Sequence, residues 1–87
     1  MFGICELCEK PRVLETHHVW GGALRKKSEC YRAKARLCVD CHREGKKAVH
    51  RDAEQSRKLK SQHQERIMAE YGWDTARFIR EFGRNYL

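Results

Sequence analysis

Two Cys-x-x-Cys pairs, Cys5 with Cys8 and Cys38 with Cys41, constrain this chain more than any other feature. Thiolates three residues apart reach one tetrahedral ion only if the backbone curls between them, so each pair asks for a tight turn. Four thiolates close a tetrahedral zinc site and leave no position for a substrate, which makes such a site structural. Its binding free energy, roughly 10 to 16 kcal/mol, is folding free energy and rivals the whole stability of a domain. The 29 residues between the pairs exceed the roughly 15 to 20 of a compact zinc ribbon. The chain must therefore leave the zinc and return, as a hairpin does.

Other uses of these cysteines fit less well. A redox dithiol wants a strand-helix unit of the thioredoxin kind, and neither pair sits in one. A grouping of Cys38, Cys41, His42 and His50 lacks the roughly twelve residues between pairs of the common two-cysteine, two-histidine finger. Cys30 has no partner and reads as a small buried apolar residue.

A staple is needed because the chain has 87 residues, with 40% hydrophobic against 36% charged. That length suits one domain, residues 1–87, and its thin apolar core is marginal by burial alone. The five cysteines are an odd number, and MFGICELCEK has neither a basic start nor an apolar run, so the expected setting is a reducing cytoplasm. No apolar run approaches the roughly 18 residues of a membrane span, and none is expected. A formal charge of +7 and a pI near 9.4 favour a polyanionic partner, DNA or RNA ahead of an anionic membrane surface.

Along the chain, residues 4–11 read as a cysteine knuckle closed by Pro11. Residues 12–20 (RVLETHHVW) read as a strand on their Val, Thr and Trp content. Gly21 and Gly22 break it, and ALRKKSE reads as a loop. Residues 31–37 alternate strictly, with Arg32, Lys34 and Arg36 on one face and Ala33, Ala35 and Leu37 on the other, which favours a second strand over the rival helix. From Val39 a short helical turn carries His42 and ends at Gly45 in the left-handed conformation. Asp52 caps a long helix to Tyr71, with Leu59, His63, Ile67 and Tyr71 as its stripe and Gly72 as its stop. Asp74 caps a last helix whose Phe78, Ile79 and Phe82 make it the most apolar piece, and both helices are expected to pack over the metal core. The expected division is a zinc and hairpin core at 1–50 and a helical extension at 51–87.

Four of the five histidines lie in two short segments beside the cysteine pairs. His17 and His18 are neighbours on a strand and point to opposite faces, so they are not expected to share one job. His63, on a helix stripe, reads as a packing or surface residue. One division of labour is chemically sensible: neutral imidazoles bind a metal that holds phosphate and leaving oxygens, while a metal-free histidine takes a proton from water. A histidine that merely ligates zinc or packs in the core is the alternative for either His17 or His18.

The order Cys-x-x-Cys, THHV, a Leu-led Cys-x-x-Cys-His and a later His, running from Cys5 to His50, resembles the HNH endonucleases with a four-cysteine zinc site. The tail YGWDTARFIREFGRNYL is also similar to tails of small phage or prophage proteins of that family. The resemblance implies a small α+β fold, a ββα-metal core with a zinc knuckle and two C-terminal helices. It implies hydrolysis of DNA phosphodiester bonds with His18 as general base. The catalytic divalent ion, Mg²⁺ or another such as Mn²⁺, Ni²⁺ or Zn²⁺, falls to His17, His42 and His50, and the structural zinc to Cys5, Cys8, Cys38 and Cys41. The products would carry 5′-phosphate and 3′-hydroxyl ends.

Two positions depart from the family pattern. Where members commonly have an asparagine that orients the base, this chain has Ala33, so either another group, Ser28 or Glu29, takes that task or the site is weak or lost. Many members place the last histidine four residues after the one matching His42, where this chain has Lys46. On one continuous helix His42 and His50 would stand about 12 Å apart, so the reading requires a break at Gly45; Asp52 is the fallback ligand.

Phosphate contacts are expected from Arg25, Lys26 and Lys27 in the loop and from Arg32, Lys34 and Arg36 on the strand face. Arg25 heads this set because a guanidinium grips a phosphate in two places. The leading function is thus a phage or prophage DNA nuclease in the bacterial host's cytoplasm, acting as a dimer or with recombination or packaging partners. A catalytically inactive zinc-binding module for nucleic acid is the second, and a redox or protein-docking zinc domain the third.

Overall fold

Three antiparallel strands run in the order β1-β2-β3, with β1 at Phe2–Ile4, β2 at Pro11–His18 and β3 at Lys34–Cys38. They come from a computed structural model that describes Met1–Leu87. Helix α1 spans Arg25–Cys30, α2 Ala53–Tyr71 and α3 Thr75–Phe82. The molecule is a small α+β protein, and no helix is long and apolar enough to cross a membrane.

The expected hairpin is β2 with β3, in a register that sets Leu14 opposite Cys38, His17 opposite Ala35 and His18 opposite Lys34. Because side chains alternate across a strand, His17 shares its face with Ala35 and Leu37, while His18 shares the other with Lys34 and Arg36. Ala33, Ala35 and Leu37 are fully buried and Arg36 is exposed, as the alternation requires. β3 is shorter than expected because Arg32 has φ +56°, a left-handed bend that closes the preceding turn. β2 ends at His18 instead of Trp20.

The segment expected to be a loop is partly helical. A single 3-10 turn at Gly22–Leu24 leads into α1, Arg25–Cys30. Lys and Arg are good helix formers, but the anchor is Ser28, which is fully buried. Its hydroxyl donates to the Trp20 carbonyl at 2.8 Å and accepts from the Trp20 N–H at 2.9 Å. Cys30, expected inside, is exposed, because it lies on the far side of this short helix from Ser28. Strand β1 was not expected; it pairs Phe2 with Val13 and Ile4 with Pro11 ahead of the knuckle.

Asp52 caps α2 by accepting from the N–H groups of Glu54 and Gln55, and Gly72 closes it at φ +66°. Leu59 and Ile67 are buried, but Tyr71 is 44% exposed, and the buried polar member of this helix is Gln64. Asp74 caps α3 through the Arg77 N–H. Phe78 and Phe82 are buried while Ile79 is 40% exposed, so the apolar face is narrower than composition suggests. The two phenylalanines pack on Trp20, with ring centroids 5.9 and 4.5 Å away. Each such burial contributes roughly 1.5 to 3 kcal/mol, enough to tie the helical extension to the end of the hairpin.

Candidate functional site

The first knuckle forms where the chain reverses between β1 and β2. The Cys5 N–H donates to the Lys10 carbonyl at 3.0 Å, the Glu9 N–H to the Cys5 carbonyl at 2.9 Å, and Glu9 takes φ +61°. Cys38 ends β3, and its N–H points at Cys5 Sγ, 3.4 Å away. Cys8 Sγ lies 3.9 Å from Cys38 Sγ, and all four sulfurs of Cys5, Cys8, Cys38 and Cys41 fall within 4.8 Å of one another. Sulfurs about 2.3 Å from a tetrahedral ion stand about 3.8 Å apart, so the set is sized to hold a metal.

The surroundings push Cys5 and Cys41 in opposite directions. Burial pushes Cys5 up, but N–H groups of Cys38, Cys8 and Leu7 more than offset it and hold the thiol at about 6. Burial and the neighbouring sulfurs push Cys41 up. Four thiolates repel one another in a buried pocket, and a cation is what relieves that repulsion.

The second cluster begins one residue beyond Cys41. Asp40–Glu44 forms a wide π-type turn that carries His42. Gly45 then breaks the helix as expected, but in an extended conformation, φ −70° and ψ 161°, and not the left-handed one. Glycine is needed there for a different reason: a Cβ would sit 2.5 Å from the Asp40 carbonyl oxygen. Past the break the chain doubles back, and the Val49 N–H donates to the Cys41 carbonyl at 2.8 Å.

That return brings His50 Nε2 to 3.1 Å from His42 Nε2. His17, from β2, closes the group, with ring centroids 5.2 Å from His42 and 5.0 Å from His50. One nitrogen from each of the three lies within 4.8 Å of the others. His17 is 8% exposed while His50 is exposed, so the trio opens to solvent on one side. Burial, then the charges of His42, His50, His18 and Lys60, lower His17 to about 4, so it stays neutral and ready to donate a lone pair at neutral pH. Asp52 does not join; its carboxylate is spent on the cap of α2.

A residue missed in the sequence completes the trio. Glu15 Oε1 lies 2.8 Å from His42 Nδ1, and Arg43 holds the same carboxylate through two bonds of 3.0 and 2.9 Å. The bonds to Arg43 and then His42 lower Glu15 to about 2, so it is ionised and accepts from Nδ1–H. The tautomer then leaves Nε2 free toward His50 and His17, the usual outer arrangement of a metal-bound imidazole. The signal was present: Glu15 stands two residues before His17, on the same strand face.

His18 lies on the opposite sheet face and makes its own contact, Nε2 to Glu29 Oε1 at 2.5 Å. Glu29 also accepts from Lys34 at 3.1 Å, and the His18 bond, then Lys34, holds its carboxyl below the ordinary range. Of the two residues expected to substitute for the missing asparagine, Glu29 touches His18 and Ser28 latches helix α1, which carries Glu29. Ala33 itself is fully buried.

The expected phosphate contacts divide. Arg25, Lys26 and Arg36 are exposed and make no ion pair, whereas Lys27 pairs with Glu81, Arg32 with Glu70 and Lys34 with Glu29. His63 is half-buried beside Arg66, as a packing residue. Comparison of the chain with protein-family models, with curated proteins and with solved structures finds no match.

Proposed function

We propose that this protein is a metal-dependent endonuclease of the HNH type that hydrolyses DNA phosphodiester bonds. The observation that carries the reading is the convergence of His17, His42 and His50 from three segments into one cluster, open to solvent, beside a closed four-cysteine site. Closed sites suit structural zinc, and three-ligand sites with an open side suit catalysis. His17, His42 and His50 would hold a divalent ion, which would supply positive charge for the phosphate and the departing 3′-oxygen.

The chain's own groups do the rest. Glu29 accepts from Nε2–H of His18, which leaves Nδ1 as the basic atom. Nδ1 takes a proton from water as the water oxygen bonds to phosphorus, and the P–O3′ bond breaks. Glu15 keeps the His42 ring in its ligating orientation. Exposed Arg25, Lys26 and Arg36 suit sequence-independent contacts to the strand.

One observation favours a second reading, a zinc module that binds nucleic acid without cutting it. His18 sits opposite Lys34, on the sheet face that His17 does not share. Plasmid nicking with added Mg²⁺ or Mn²⁺ separates the two. The expected result is nicking that His18→Ala abolishes while folding and DNA binding persist. Nicking that survives His18→Ala removes His18 as the base, and DNA binding without nicking under any divalent ion removes the enzyme.

A further inference from the structure

A cationic site lies at the start of α2, outside the cysteine and histidine clusters. A pocket of about 260 Å³ is lined by Ala53, Ser56, Arg57, Lys60, Arg84 and Tyr86, with three cations and no acid. Arg57, Lys60 and Arg84 take part in none of the nine ion pairs of the protein. Like charges that converge without a counter-charge cost free energy, and an anion that enters relieves it.

The pocket has a fixed wall. Gln64, fully buried in α2, donates to the Asn85 side chain at 2.8 Å and accepts from the Tyr86 N–H at 2.7 Å. Trp20 adds an edge contact to the Tyr86 ring, with centroids 5.6 Å apart. The C-terminal segment after α3 is therefore latched to α2, and Arg57 and Arg84 line the same pocket. The Tyr86 ring lies between two of the cations, 5.5 Å from Lys60 Nζ and 5.2 Å from Arg84 Cζ.

Its position matters as much as its charge. Ala53 follows His50 by three residues, and the charge of Lys60 is among those felt by His17. The pocket therefore lies close to the histidine cluster, at the start of α2.

We infer that this pocket binds one backbone phosphate of a nucleic-acid strand and sets the direction in which the strand crosses the histidine cluster. Guanidiniums from two sides clamp the phosphate oxygens, Lys60 adds a point charge, and the Ser56 hydroxyl can donate. The inference deepens the nuclease reading and rests on it for the strand's direction, but the binding itself is independent of cleavage.

The test uses the zinc-loaded 87-residue chain and a fluorescein-labelled DNA strand of about 20 nucleotides, read by anisotropy with no second divalent ion. Arg57 and Arg84 are exposed, so Arg57→Ala with Arg84→Ala is expected to keep the fold, which far-UV circular dichroism checks. That double variant is expected to bind at least tenfold more weakly at 0.1 M salt and to lower the slope of log Kd against log salt by about 1, as one lost phosphate contact does. Lys10→Ala with Arg80→Ala removes the same charge elsewhere and is expected to keep the slope. Equal losses in both double variants, or none in the first, overturn the inference. So does a pocket that binds inorganic phosphate by calorimetry, loses it in the double variant, and leaves the DNA slope unchanged. Failure of the wild-type protein to nick plasmid overturns the nuclease reading alone, because the anisotropy arm does not depend on cleavage.

Discussion

His50 Nε2 stands 3.1 Å from His42 Nε2 although eight residues of chain separate the two. A straight helix would hold them about 12 Å apart. The approach is the work of the Gly45 break and the Val49-to-Cys41 backbone bond.

Gly45→Ala is therefore expected to open the turn. Its Cβ would meet the Asp40 carbonyl oxygen at 2.5 Å, an overpacking that costs about 1 to 3 kcal/mol. Thermal unfolding should show that loss, and titration with Mn²⁺ should show the histidine site weakened at least tenfold with zinc content unchanged. Wild-type affinity in the variant would separate His50 from the break.

The four-cysteine site should carry much of the folding free energy. Stripping its metal with a strong chelator is expected to unfold the chain, because structural zinc contributes roughly 10 to 16 kcal/mol against a domain stability of about 5 to 15. Far-UV circular dichroism before and after chelation, with zinc added back, reads the result. A chain that stays folded without metal would show that the apolar core suffices.

Glu15→Gln tests the outer support of the histidine site. The change removes the charge that Arg43 and His42 share, and metal affinity is expected to fall 10- to 100-fold, the range for lost support of this kind. Calorimetric titration with Ni²⁺ into zinc-loaded protein measures it. An unchanged dissociation constant would make Glu15 a surface ion pair only.

His17 gives stability a pH dependence of known sign. Burial lowers its pKa to about 4 from the ordinary 6.5, so between these values the unfolded chain binds more protons than the folded one. Stability from this group is then complete above about pH 6.5 and declines as pH falls toward 4. Urea midpoints across that window, with no second ion bound, should fall more steeply for wild type than for His17→Gln. Equal slopes would mean that His17 is not held neutral by the fold.

Much of this architecture is legible in the residues. The strict alternation after Tyr31 marks the buried face of β3 because a half-buried strand must repeat every second residue. The capping residues Asp52 and Asp74 and the stop at Gly72 mark the helices because each satisfies backbone groups locally. The cysteine spacing likewise carries its own geometry. Helix α1 was not legible: its stability comes from the Ser28 hydroxyl bonded to Trp20, eight residues away in sequence. Gln64 was hidden for the same reason, as a polar residue on an apolar stripe whose partners, Asn85 and Tyr86, arrive from the chain's end.

The sequence by itself determined which groups are available: four thiols at metal spacing, two histidine-bearing segments, and capped helices. These follow from local chemistry, in which spacing along the chain sets reach. Only the tertiary structure decided which groups meet. It set His17 beside buried Ala35 and His18 beside Lys34 through the β2–β3 register, returned His50 to His42, supplied Glu15 behind the ring, and latched the segment carrying Arg84 against α2. Such meetings depend on packing between segments far apart in sequence, where no local rule of spacing applies.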